Sequence, residues 1–298
     1  MRKTLLTITG PTAAGKTDLT VRAAQRGKTE IVSCDSRQIY RELSIGTAKP
    51  TLEEMDGVPH HFVNEVSIKN PISAGEFEKL AVKRINSLFQ KYNTVILTGG
   101  SGLYLNAVLF GLDDFPDVTP EASERVGEIY DEKGLEGLKQ TLKTKDPEYY
   151  NTVDLHNPVR LIRALEVIET TGKPFSEFRN HTPKSRPWKN DIYVLNRDRQ
   201  ELHTRIEERV DEMVQQGLFD EVQALQDFKN EKALQTVGYR EIFDFLDGKT
   251  TKNECIELIK RNTRRYAKRQ ITWFKKIPNA HFCYPPYEEI LKYDFQKK

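Results

Sequence analysis

Buried strands and one-faced helices alternate along the first hundred residues. Thr4 to Thr9 (Thr-Leu-Leu-Thr-Ile-Thr) is short, apolar and β-branched, the pattern of a buried strand, and Thr17 to Gln25 follows without a breaker and reads as helix. Glu30 to Cys34 reads as a second buried strand. Glu76 to Tyr92 sets Phe77, Leu80, Ala81, Leu88 and Phe89 at helical spacing, and Thr94 to Thr98 gives a third buried strand that runs into Gly99-Gly100-Ser101-Gly102. Alternation of this kind predicts an α/β fold: a phosphate-loop core with a parallel sheet flanked by helices.

The pattern changes at about Asp113. From there to Pro187 the β-branched strands stop, and charged, helix-forming stretches take over between turn signals at Pro116, Pro120, Pro147 and Pro158. An all-helical insertion domain over 113–187 is therefore expected, dividing a core made of 1–112 and 188–298. Inside it a helix starts at Asn157, with Arg160 and Arg163 on one side beside Leu161, Ile162 and Leu165. Two such arginines either form a solvated face or grip a backbone phosphate. Asp191 to Asn196 restores a strand. Leu202 to Gln216 then reads as a helix with Leu202, Ile206, Val210, Met213 and Val214 inward, stopped by Gly217.

Composition narrows the class. The 298 residues are 37% hydrophobic and 30% charged with a net charge of +2, which fits a globular protein and confines any nucleic-acid surface to a local patch. Cys34, Cys255 and Cys283 are odd in number and far apart, matching neither a disulfide framework nor a zinc ligand set, so a reducing cytoplasm is the simple expectation. The first strand begins almost at the first residue and no apolar run approaches the roughly 20 residues of a spanning helix, so neither a signal peptide nor a membrane role is expected.

The chemistry concentrates after the first strand. Gly10-Pro11-Thr12-Ala13-Ala14-Gly15-Lys16-Thr17 fits G-x-x-x-x-G-K-[ST] without mismatch and sits between a strand and a helix, the context this motif requires. Its glycines let backbone N–H groups turn around a polyphosphate, the helix N-terminus adds positive potential, Lys16 adds a charge, and Thr17 can reach a bound Mg²⁺. Asp35 follows the second strand. In an open parallel sheet that edge faces the ligand crevice, although Asp35 or Ser36 could instead cap a helix. Arg205 and Arg209 lie one turn apart, either to bring two guanidinium groups to one anion or to pair with Glu201, Glu208 or Glu212. The adjacent His60 and His61 are read as structural rather than as a metal pair. The third strand ends in a Gly-rich turn with Ser101 where a hydrolysing NTPase usually has a metal-holding carboxylate, which argues against an ATPase or GTPase. Finally, Lys260 to Lys276 carries eight cations and no acid, interleaved with Tyr266, Trp273 and Phe274, and is read as an RNA or DNA backbone contact.

These segments together resemble the tRNA dimethylallyltransferases, or tRNA isopentenyltransferases, over nearly the whole chain. The resemblance rests on Gly10 to Thr17, Asp35-Ser36-Arg37-Gln38-Ile39-Tyr40, Gly46 to Pro50, His60-His61, Ser73 to Phe77, Gly99 to Tyr104, Asn157 to Glu166, Gly238-Tyr239-Arg240 and Tyr266 to Trp273. It implies transfer of a dimethylallyl group from dimethylallyl diphosphate to N6 of the adenine at tRNA position 37, beside the anticodon. It further implies that the phosphate loop cradles the donor's diphosphate with Mg²⁺ near Thr17, although such loops are often labelled ATP sites. Asp35 resembles the general base, and Arg209, with Arg205 beside it, the diphosphate-binding arginine. Asp35 to Gln38 and Ser101, a Ser where the family commonly has Thr, resemble contacts to the target adenosine. Ser123, Val159, Arg160, Leu161, Ile162, Arg163, Gln235, Gly238, Tyr239, Arg240, Lys268, Arg269 and Gln270 resemble tRNA-contacting positions. The zinc finger of some eukaryotic relatives is absent, so the bacterial form, acting as a monomer, is expected. The residues alone also allow a phosphate-loop small-molecule kinase, with Asp35 activating a hydroxyl, or a non-catalytic RNA-binding module.

Overall fold

A computed structural model describes residues 3–180 and 182–295. Two compact units divide the chain, one formed by Met1–Phe110 with Ser185–Lys298 and the other by Gly111–Lys184.

The larger unit is a six-stranded sheet with helices on both faces. In chain order its elements begin β1 (Thr4–Thr9), α1 (Lys16–Gly27), β2 (Ile31–Ser33), α2 (Leu52–Met55), β3 (His60–His61), α3 (Ala74–Leu88), β4 (Thr94–Gly99) and α4 (Gly102–Phe110). The smaller unit contributes α5 (Pro120–Lys145), α6 (Pro147–Tyr150) and α7 (Pro158–Thr171). The larger one then resumes with β5 (Lys189–Leu195), α8 (Arg199–Gln215), α9 (Leu218–Gln223), α10 (Tyr239–Leu246), α11 (Lys252–Phe274), β6 (His281–Cys283) and α12 (Glu288–Leu291). The strand order is β3-β2-β4-β1-β5-β6 and every pairing is parallel.

Alternation along the strands explains why both faces need cover. Leu5, Val32, Val95 and Leu97 join one core with Phe77, Ile85 and Leu105 from α3 and α4, whereas Leu6, Ile8, Ile31 and Ile96 join a second with Leu19, Ala23 and Ala24 of α1. The central strand β1 lies between β4 and β5, so the loop that follows it opens at the middle of the sheet's C-terminal edge. No helix among the described residues is long and apolar enough to cross a membrane.

Helix α3 departs from the sequence reading at both ends, running Ala74–Leu88 where the spacing predicts Glu76 to Tyr92. It starts at Ala74 rather than Glu76, because the Ser73 hydroxyl accepts from the Glu76 N–H while the Glu76 carboxylate accepts from the Ser73 N–H, a reciprocal cap. Leu80, expected inward, is 46% exposed; Ile85 takes the buried place.

The smaller unit has its own core, in which Val126, Leu138 and Leu142 of α5 meet Leu161, Ala164 and Leu165 of α7, with Phe115 stacked on Phe175. Asn157 caps α7 by accepting from the Arg160 N–H. The limits Gly111 and Lys184 lie close to the expected 113 and 187. Leu161, expected among the tRNA contacts, is fully buried in this core and cannot touch a partner, whereas Val159, Arg160, Arg163 and Ser123 are exposed.

Candidate active site

Five chain segments converge at the C-terminal edge of the sheet: the loop after β1, the turn after β2, the end of β4, helix α8 and helix α11. Together they line one cleft.

The loop after β1 forms the cleft's polar end. Gly15 caps α1 in a left-handed conformation (φ 93°) that a side chain would strain, and no side chain occupies the cap, so the first N–H groups of α1 are left for an anion. The Lys16 Nζ donates to the carbonyls of Gly10 and Pro11, at 3.0 and 2.9 Å. The Thr17 hydroxyl lines the cleft and makes no hydrogen bond with the described residues. From α8, Arg205 donates through Nε to the Ala13 carbonyl at 2.9 Å and Arg209 donates to the Thr12 hydroxyl at 3.3 Å. Neither is spent on Glu201, Glu208 or Glu212. Arg205 braces the loop, and Arg209 is aimed across it.

Burial, and then the positive Arg209, push the Lys16 ammonium down to about 8, with Asp35 pulling the other way. An incoming diphosphate favours the charged form. Above pH 8 binding must therefore take up a proton, and each further unit weakens binding by as much as tenfold. The ratio of wild-type to Lys16→Met affinity for inorganic diphosphate, which cancels the ligand's own ionisation, should fall between pH 7 and 9; a flat ratio would contradict the shift.

The turn after β2 carries Asp35. Its Oδ1 accepts from the N–H groups of Arg37 (2.9 Å) and Gln38 (3.2 Å), closing a local turn, and its Oδ2 accepts nothing from the described residues. One oxygen fixes the group; the other is left for chemistry. Ser101, at the start of α4, accepts from the Ser36 N–H at 2.9 Å and donates to the Ser36 hydroxyl at 3.0 Å, so it holds this turn rather than pointing freely at a substrate. The Gln38 amide is likewise committed, donating to the carbonyls of Thr47 (3.1 Å) and Ala48 (3.0 Å).

Gln270 and Tyr239 correct the expectation that their side chains meet tRNA. Gln270 is buried on α11, where it accepts from the Thr12 N–H at 2.9 Å and donates to the Gly100 carbonyl at 2.8 Å, tying the phosphate loop to the end of β4. Tyr239 is fully buried and donates to Glu221. Gly238 is covered as well, while Gln235 and Arg240 are exposed. The basic run is also less uniform than its sequence suggests. Lys260 pairs with Asp211 at 2.7 Å and Arg264 with Glu207 at 2.6 Å, both acids lying on the neighbouring α8. Lys268, Arg269, Lys275 and Lys276, further along, stay exposed and form no ion pair with the described residues.

Several groups escaped sequence reasoning. Tyr266, which the sequence offers only as an aromatic of the basic run, lines the cleft beside Ser101, its phenol pushed up to about 12 by burial and the nearby Asp35. Arg197 and Tyr287 both donate to the Ala14 carbonyl, at 3.1 and 3.2 Å, fastening the loop from below; nothing local signals that. Val210, Met213, Leu218 and Ile259 add hydrocarbon to the lining of the same cleft. Of the paired histidines, His60 hydrogen-bonds the Val58 carbonyl and His61 pairs with Glu30 at 2.6 Å, and the described residues contain no cluster of three or more side chains able to hold a metal.

The sequence model of the family described as IPP transferase matches residues 38–277. A tRNA dimethylallyltransferase of Cytophaga hutchinsonii is 46% identical over 285 residues, covering 96% of this chain and 94% of that protein. One from Christiangramia forsetii is 47% identical, with 93% and 92% covered. Among solved structures, the full-length tRNA isopentenylpyrophosphate transferase of Bacillus halodurans superposes with a TM-score of 0.70 at 36% identity, over 98% of this chain and 94% of that one. A eukaryotic dimethylallyltransferase described as acting on tRNA superposes at 0.78 and 27% identity, over 95% and 74%.

Proposed function

The chain belongs to the IPP transferase family, and from that membership we infer a tRNA-modifying prenyltransferase that moves a dimethylallyl group from dimethylallyl diphosphate to N6 of adenosine 37 beside the anticodon. The allylic C–O bond breaks, a C–N bond forms, the N6 proton passes to a base, and diphosphate leaves. The observation that carries the reading is what one cleft brings together: the phosphate loop with Lys16 and Arg209, the apolar side chains of Val210, Met213, Leu218 and Ile259, and Asp35, whose Oδ2 accepts nothing from the described residues.

Each residue type answers a demand of the reaction. Departure of diphosphate concentrates negative charge on its oxygens, and the loop N–H groups, Lys16 and Arg209 are donors aimed where that charge develops. Val210, Met213, Leu218 and Ile259 suit a five-carbon apolar group and keep water from an allylic centre that water would capture. Delocalisation makes the N6 lone pair weakly nucleophilic, so Asp35 accepts the proton as the new bond forms. Ser101 and Gln38 keep that carboxylate in register. An adenine unpaired in the anticodon loop reaches the cleft cheaply, because it gives up stacking but no base pair.

The donor set also fits Mg²⁺. Thr17 offers one hydroxyl, and the described residues contain no carboxylate cage, which matches an ion held mainly by substrate phosphates and water. Bound there, the ion would neutralise charge on the diphosphate.

For tRNA, the exposed Lys268 and Arg269 on α11, Gln235 and Arg240 near α10, and Ser123, Val159, Arg160 and Arg163 on the smaller unit offer side chains to a backbone. Replacing Lys268 and Arg269 with alanine is expected to weaken tRNA binding and lower its salt dependence by roughly two counterions. An unchanged slope in filter binding between 50 and 200 mM salt would remove them from the interface. We place the enzyme, as a monomer, in the cytoplasm, where its three free thiols stay reduced.

The deciding experiment supplies radiolabelled dimethylallyl diphosphate and Mg²⁺ with unmodified tRNA bearing adenosine 37, and with a control lacking that adenosine. Label in the first tRNA alone is expected. Label in neither, with both substrates bound, would overturn the reading.

A further inference from the structure

The Glu221 carboxylate collects four donors. Its Oε2 accepts from the N–H groups of Ser44 (3.1 Å) and Ile45 (2.7 Å), and its Oε1 from the Gly46 N–H (3.1 Å) and the Tyr239 hydroxyl (2.6 Å). Three successive backbone N–H groups turned to one side form an anion-binding concavity. Here the protein fills it with its own carboxylate. Burial and the adjacent Glu221 push the Tyr239 phenol up, so it remains a neutral donor.

What the four bonds hold is a wall of the cleft. Gly46, Thr47, Ala48 and Pro50 line it, and the carbonyls of Thr47 and Ala48 accept from the Gln38 amide, whose backbone N–H in turn donates to Asp35 Oδ1. Each link in this chain from Glu221 to Asp35 is a hydrogen bond or a short stretch of backbone. Contact from the other side is equally close. A Cβ on Gly46 would lie 2.5 to 2.8 Å from ring carbons and the hydroxyl of Tyr239, so the ring packs against bare backbone.

We propose that Glu221 and Tyr239 act as one positioning unit for the transfer reaction, clamping residues 44–48 so that Gln38 holds the Asp35 carboxylate in its reactive orientation. Neither touches the reacting atoms. The proposal rests on the prenyl-transfer reading above, and it assigns Tyr239 a role inside the protein in place of a contact with tRNA. Charge matters in the clamp, because a carboxylate accepts all four donors whereas an amide in the same place puts an NH2 group where one oxygen accepts two of them.

The test uses the full-length enzyme with Glu221→Gln, Tyr239→Phe and the double variant. Displacing a catalytic group by a fraction of an ångström to 1 Å costs up to about 10²-fold. With both substrates saturating, Glu221→Gln is therefore expected to turn over 10- to 100-fold more slowly and Tyr239→Phe several-fold more slowly. The double variant should be no slower than Glu221→Gln alone, because the two losses interrupt one chain. Inorganic diphosphate, whose expected site is the phosphate loop and not residues 44–48, should bind all three variants as it binds wild type. Wild-type turnover in Glu221→Gln, losses that multiply in the double variant, or a parallel loss of diphosphate affinity would each overturn the clamp. Should Glu221→Gln fail to fold, Tyr239→Phe, which removes one bond of four, decides alone: turnover equal to wild type rejects the proposal. A wild-type enzyme that transfers no label counts instead against the prenyl-transfer reading itself.

Discussion

Asp35→Asn is expected to lower the single-turnover rate by about 10²- to 10⁴-fold, the range a positioned general base contributes, while tRNA affinity stays at the wild-type level. The asparagine is the informative replacement. Its Oδ1 can still accept from the N–H groups of Arg37 and Gln38, which fix the turn at 2.9 and 3.2 Å, so the geometry survives and only the proton acceptor is lost. Asp35→Ala removes both functions and should be at least as slow, with added disorder in residues 35–38. Rapid-quench mixing of a preformed enzyme–donor complex with tRNA, alongside filter binding, separates the two. A normal rate in Asp35→Asn would mean that Asp35 shapes the turn and that another group takes the proton.

The second large effect belongs to Lys16. Lys16→Met keeps most of the side chain's bulk and removes its charge, and losing one preorganised donor to a developing anion typically costs about 10²- to 10³-fold in turnover. Affinity for inorganic diphosphate should fall as well, because the lysine meets the ground state and the leaving group alike. Arg209 offers a comparison. It reaches the loop through the Thr12 hydroxyl, and burial followed by the nearby Arg205 lowers its pKa, so removing it relieves repulsion on Lys16 while deleting a donor. Arg209→Met should therefore show a smaller loss than Lys16→Met, read from donor titrations at saturating tRNA. The reverse ranking would make Arg209 the principal anion contact.

How far the sequence reached follows from how local each signal is. The phosphate loop, the strand-end Asp35 and the change of pattern at the helical insertion are all written in contiguous residues, and each was readable from spacing alone. Partnerships across the chain were not. The cations of Lys260 to Lys276 stand in a stretch without acids, yet Lys260 and Arg264 find theirs 49 and 57 residues away on α8. Gln270 sits within the same basic run but turns to the opposite side of α11, toward Thr12, 258 residues earlier. Glu221 carries no motif, and only the fold brings residues 44–46 to it. Resemblance named Tyr239 and Gln270 as tRNA contacts because it transfers positions, whereas burial decides what a side chain can touch. Leu80 is the converse case: helical spacing put it inward, but the cover it would need is not there.

The three cysteines have a consequence for measuring how the molecule opens. Cys34, Cys255 and Cys283 are all buried, and burial raises every one of their thiols, to about 12 at Cys255 and about 11 at Cys283. Near neutral pH the nucleophilic thiolate is essentially unpopulated in the closed state. Alkylation must then wait for local or global opening, and the three sites report from different places: Cys34 beneath the Asp35 turn, Cys255 in the first turn of α11, Cys283 on the edge strand β6. Timed labelling read by peptide mass would rank those regions by the free energy of exposing them, without any engineered probe.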